Sequence, residues 1–208
     1  MGWLVGLVVL GLVLLLVGFV LVNYNALVRV RNAYTKSFAQ IDVQLTRRHD
    51  LIPNLVETAK GYLAHERQTL EAVTAARSAA VSAQSSARGD GRSASSRAGA
   101  GGGGSAAIGA LADAENVLTQ ALGKLFALAE GYPTLKANQN MLDLQEELTT
   151  TENRIAFARQ AYNDAVLDYN TRRQVLPSSL IAAAFGFGPA TLFELDDPQQ
   201  RGTPQISF

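Results

Sequence analysis

The chain has no cysteine among its 208 residues. That excludes disulfides, thiolate metal sites, a cysteine nucleophile and a lipid-modified cysteine anchor. It fits a reducing compartment. Only two histidines are present, so a histidine-rich metal centre is excluded too. Neither charge sign is in excess: 18 Lys and Arg stand against 18 Asp and Glu. A net charge of zero offers no global basic field to nucleic acid.

Charge is also missing locally. From Gly2 to Val22 no residue is charged. At a rise of ~1.5 Å per residue, a helix of that run spans roughly 30 Å, the hydrocarbon thickness of a bilayer. Trp3 and Tyr24 flank it, where amphipathic rings prefer to sit. A cleaved signal peptide would need a basic start, a shorter apolar core and a small-residue cleavage site. Residues 1–22 are therefore expected to be a retained transmembrane anchor. Arg29, Arg31 and Lys36 follow it, against Asp42. The basic side stays inside, so the body is expected in the cytoplasm and the N-terminus outside.

Apolar residues recur at helical spacing through the rest. Tyr24, Leu27, Tyr34, Phe38, Ile41 and Leu45 form one stripe over 24–50, continuous with the anchor. Pro53 predicts a break or kink after Asp50. A second helix is expected over 53–87, with Val56, Leu63 and Leu70 seven apart and Ala59, Val73 and Ala80 beside them. Residues 82–107 are Ser, Ala, Gly and Arg and predict a flexible loop. A third helix is expected over 105–130. A fourth is expected over 134–175, with Met141, Leu148, Ile155, Tyr162 and Tyr169 in heptads. The fold class is all-α: a transmembrane helix continuing into an elongated antiparallel four-helix bundle, coiled-coil-like, over 23–195. A polar tail follows at 196–208.

Few residues suggest chemistry. Gly99, Gly101 and Gly104 have the spacing of a dinucleotide fingerprint, but no strand precedes them and no acid follows at the right distance. His49-Asp50 and His65-Glu66 lack the spacing of a zinc site, and the two histidines are expected to be hydrogen-bonded between helices. No nucleophile–base pairing is evident, so no catalytic, cofactor or metal residue is assigned. Two polar stripes stand out as candidate interaction surfaces. One holds Asp50, Asn54, Glu57, Gly61 and His65; the other holds Arg159, Asn163, Asn170 and Arg173. They predict bonds between helices or protomers, with plain solvation as the alternative. Arg47 and Arg48 suit lipid headgroups or nucleic acid, though a dibasic pair is too short to specify either, and the acids Asp143, Glu146, Glu147 and Glu152 are their electrostatic complement. Residues 176–195 are apolar and broken by Gly and Pro. They either fold back to cap the bundle or offer Phe185, Phe187 and Phe193 to a protomer, a partner or the bilayer.

The run Asp42 to Glu57, then Gly61-Tyr62 and His65-Glu66, resembles the signature of the LemA family. So do Ala161-Tyr162-Asn163, Asp168-Tyr169-Asn170, Arg172-Arg173 and Pro177, with Phe193-Glu194-Leu195 and the Ser207-Phe208 end. The resemblance implies a bacterial single-pass inner-membrane protein with a helical-bundle body and no enzymatic activity to carry over. It also makes a membrane protease or a membrane-organising protein a plausible partner. The expectation is a non-enzymatic scaffold that forms homo-oligomers and recruits partners at the membrane, without a cofactor and without nucleic acid. The alternative is a membrane-shaping, lipid-contacting protein.

Overall fold

The computed structural model describes residues 1–63, 65–96 and 103–194. Its longest element is α1, Gly2–Lys60, 59 residues in one helix. At ~1.5 Å per residue it is roughly 90 Å long. It is the one described helix long and apolar enough to cross a membrane. Its side chains from Trp3 to Phe19 are exposed, and burial begins at Asn23 and Leu27. The elements that follow are α2 (Arg67–Ser96), α3 (Gly103–Ala129), α4 (Pro133–Lys136), α5 (Gln139–Gln174) and α6 (Ser178–Ala184). No strand occurs among the described residues. The protein is an all-α helical bundle.

Cross-helix bonds fix the directions. Arg77 meets His49, and Gln84 meets Asp42, so α2 runs antiparallel to α1. Glu115 and Thr119 meet Arg48 and His49 from α3. Glu147 pairs with Arg47, and Tyr169 lies against Tyr34, so α5 also returns antiparallel to α1. Two turns close the far end. Asn138 caps α5 by accepting from Met141 N at 3.1 Å, and its Nδ2 donates to the Tyr62 hydroxyl at 2.9 Å.

The apolar stripes meet inside. Met141, Leu148, Ile155, Tyr162 and Tyr169 of α5 are all buried, as are Val56, Leu63, Leu70, Val73 and Ala80. Three clusters stack along the axis. The far one joins α1, α2, α3 and α5 through Ile52, Leu55, Val73, Leu125 and Met141. The middle one centres on Ile41, Leu45, Leu111, Ile155 and Phe193. The one nearest the apolar run holds Leu27, Tyr169, Ile181, Ala182 and Phe187.

Two expectations about the hairpins are corrected. Pro53 does not break the chain: it lies inside α1, and the helix ends later, after Lys60, with a turn at Gly61 and Tyr62. A proline removes the bond to the carbonyl four residues back, here that of His49. Arg77 Nε donates to that carbonyl at 2.7 Å, so the helix continues through the missing bond. Nor is 82–107 a loop throughout. Residues 82–96 belong to α2 and 103–107 to α3, and 97–102 lie outside the described residues. Small side chains let α2 sit close to its neighbours: Ala76, Ala80 and Ala87 are buried. Gln84 and Arg88 then bind Asp42 and Thr46 of α1.

Candidate functional site

A buried ionic cluster crosses the middle of the bundle. Glu115 of α3 is fully buried, and Arg48 and His49 of α1 are nearly so. Arg48 Nη1 donates to Glu115 Oε2 at 3.0 Å, and Arg48 Nη2 donates to Thr119 Oγ1 at 2.8 Å. The same nitrogen reaches Glu152 of α5 at 3.2 Å. His49 Nε2 lies 2.7 Å from Glu115 Oε1. One carboxylate thus answers two buried side chains, and the cluster ties α1, α3 and α5 together at one level of the bundle.

Around it the sequence-selected residues separate. Arg47 is exposed and pairs with Glu147. Asp143, Glu146 and Glu147 line an open groove of about 680 Å³ with Arg47 and Arg154. Asp50, Asn54, Glu57 and His65 are exposed. Glu57 pairs with Lys60 on its own helix at 3.1 Å. The first polar stripe faces solvent, because the apolar seam of α1, through Leu51, Ile52, Leu55 and Ala59, turns the other way. Among the described residues the bonds between helices of the bundle that were expected there are not made. Among the described residues no group of three potential metal ligands occurs.

The second stripe does hold something. After α6 the chain turns back along α5 as an extended strap. Phe187 N bonds Ala182 O at 2.9 Å and Gly186 N bonds Ala183 O at 3.4 Å. This is a Schellman end, and Gly186 has the positive φ of 70° that it requires. Asn170 Oδ1 accepts from Ala190 N at 3.0 Å while its Nδ2 donates to Ala190 O at 2.8 Å. Asn163 treats Phe193 the same way, at 2.9 and 3.2 Å. The Tyr169 hydroxyl donates to Gly188 O at 2.7 Å and the Tyr162 hydroxyl to Thr191 O at 2.9 Å.

The spacing explains the repeat. Tyr162-Asn163 and Tyr169-Asn170 stand seven residues apart on a helix, about 10.5 Å. Ala190 and Phe193 stand three residues apart on extended chain, about 10 Å. The two asparagines therefore pair with the strap as a neighbouring strand would. Burial raises the Tyr34 and Tyr162 phenols and pushes Tyr169 up to about 12. The donors of the clamp stay protonated well past neutrality.

The strap also settles where the phenylalanines go. Phe193 is fully buried in the middle cluster and Phe187 nearly so in the cluster beside Leu27. Both are held within the chain, so they do not offer the outward docking surface considered for them. Phe185 remains 44% exposed. Sequence reasoning missed Glu115 and the hydroxyls of Tyr162 and Tyr169. Glu115 carried a signal: it stands among Leu111, Leu118 and Leu122 on the apolar stripe of α3.

The chain is 29% identical to magnetosome proteins MamQ 1 and MamQ 2 of Paramagnetospirillum magneticum over 187 residues, 84% of this chain and 65% of each relative. It is 28% identical to magnetosome protein MamQ of Magnetospirillum gryphiswaldense over 191 residues, 84% of this chain and 67% of that one. The chain thus spans just under two thirds of the first two relatives' length. A family model matches residues 37–208, a stretch that includes both the ionic cluster and the clamp, and the chain belongs to the LemA family.

Proposed function

We propose that this protein is a non-enzymatic scaffold, anchored in the bacterial inner membrane by Gly2–Val22, that self-associates and recruits protein partners beside the bilayer. The observation that carries the reading is the continuity of α1. The helix passes from the apolar run into the bundle with no joint. The ionic cluster and Arg77 stiffen it at Arg48–Pro53. Such a body holds whatever binds it at a fixed orientation to the membrane. Phe157 and Leu167 on α5, 74% and 53% exposed, are apolar contacts available along its length.

Light scattering on the detergent-solubilised full chain tests self-association. More than one protomer per particle is expected, and a clean monomer at every concentration refutes that part. The positive charge of Arg29, Arg31 and Lys36 beside the apolar run supports a cytoplasmic body. Protease added outside spheroplasts should leave it intact, and its digestion there would reverse the orientation. A second reading, contact with lipid beyond the anchor, is favoured by the exposed apolar face of α6. No magnetosome role is proposed for this chain.

A further inference from the structure

We infer that α6 and the turns on either side of it form a foot that lies in the headgroup layer of the bilayer, a second membrane contact besides the anchor. The inference rests on the reading that Gly2–Val22 fills the hydrocarbon core.

The height of α6 is fixed by its bonds to α1. Ser178 Oγ reaches Asn23 Oδ1 at 3.3 Å, one residue past the apolar run. The rings of Phe185 and Phe187 pack edge-on against Tyr24, with centroids 5.0 and 5.6 Å away. Ile181 and Ala182 share a cluster with Leu27. All of α6 therefore lies level with residues 23–27, a rise of about 6 Å. The polar layer outside the hydrocarbon adds roughly 5–7 Å per leaflet. With the apolar run seated in the core, α6 cannot avoid that layer.

Its surface has the chemistry of that layer. Leu176 is 75% exposed, Leu180 69% and Phe185 44%. Three large apolar side chains left outward within ten residues are costly in water and favourable at the acyl boundary. Basic groups stand beside them. Arg172 is exposed at the end of α5, and Arg173 Nε is buried there with no acceptor among the described residues. Arg29 is exposed about 9 Å beyond Asn23 along α1. Apolar residues below a basic rim match acyl chains below phosphate. The buried side of α6, through Ser178, Ile181 and Ala182, is held by the bundle, so the foot is preformed.

The chain's lack of cysteine makes the test direct. Leu180→Cys, Leu10→Cys and Phe157→Cys are each labelled with an environment-sensitive fluorophore. The full chain is reconstituted in phosphatidylcholine–phosphatidylglycerol vesicles, with or without lipids spin-labelled near the headgroup or deep in the acyl chain. The label at Leu180 is expected to be blue-shifted and quenched severalfold more by the shallow spin label than the label at Phe157. The label at Leu10 is expected to respond to the deep one. A Leu180 label that stays unquenched while the Leu10 label is quenched overturns the foot and leaves the anchor standing. Blue shift at Leu180 without lipid quenching also overturns it, because a second copy of the chain then covers the face. No quenching at Leu10 overturns the anchor reading and the foot with it.

Discussion

Arg77 Nε donates to the His49 carbonyl at 2.7 Å, the acceptor that Pro53 leaves without a backbone donor. A buried carbonyl stripped of its partner costs about 1–3 kcal/mol. Arg77→Ala is therefore expected to destabilise the bundle by about that amount in a urea melt. Pro53→Ala restores an N–H to the carbonyl. In that background the Arg77→Ala change should cost clearly less. Equal costs in both backgrounds would show that Arg77 serves some other role than replacing the lost bond.

The asparagine clamp makes a prediction about the C-terminal strap. Asparagine offers the backbone one donor and one acceptor, and the strap uses both at Ala190 and at Phe193. Aspartate keeps the shape but cannot donate, and its second oxygen would face a carbonyl. Asn163→Asp with Asn170→Asp should release the strap, at about 1–3 kcal/mol for each lost site. Limited proteolysis within 186–194 should become much faster while helicity by circular dichroism is kept. If cleavage there stays as slow as in the parent protein, the asparagines are dispensable and the strap is held by Phe187, Phe193 and the hydroxyls of Tyr162 and Tyr169.

What could be read in the sequence follows from how far apart the cause and its effect lie in the chain. Met141, Leu148, Ile155, Tyr162 and Tyr169 repeat every seven residues, and their burial needs only a helix and a partner surface. The family resemblance was likewise local in its motifs. Pro53 was misread because its compensation comes from Arg77, a helix later. The helical part of 82–96 was misread because its composition lacks large apolar residues, whereas packing there depends on Ala87 being small and on Gln84 reaching Asp42. The asparagines were noticed as a stripe, but their partner is irregular backbone, which has no side-chain pattern to search for. The height of α6 beside Asn23 is set by a contact 155 residues apart in the chain.

The raised tyrosines predict an alkaline limit to stability. In the unfolded chain a phenol releases its proton near ~10. In the fold, burial holds the Tyr169 proton to about 12, and Tyr34 and Tyr162 are raised as well. Above ~10 the unfolded state therefore binds fewer protons than the native one, so stability falls as pH rises. Below it both states are protonated and these groups give no dependence. The melting temperature should decline progressively above about pH 10. Tyr162→Phe with Tyr169→Phe should lower the plateau, through the lost bonds to Thr191 and Gly188, and flatten the decline. An alkaline decline of unchanged steepness in the double variant would assign it to other groups.

The last prediction concerns Glu115. A buried ion pair often gains little over apolar residues of the same volume, yet removing one partner leaves a charge stranded. Glu115→Leu would leave Arg48 buried with only the half-exposed Glu152 to answer its charge, and would leave the His49 ring without its acceptor. A loss of about 3–5 kcal/mol is expected. Replacing all three, with Arg48→Met, His49→Leu and Glu115→Leu, should recover most of it. The two variants then separate stability from register. If the ionic cluster is what fixes how α3 meets α1, the triple variant will melt near the parent temperature but with a broader transition, and a cysteine pair placed across the two helices will crosslink in more than one register. A triple variant that crosslinks in the native register alone would show that apolar packing by Leu111, Leu118 and Leu122 is sufficient to align the helices.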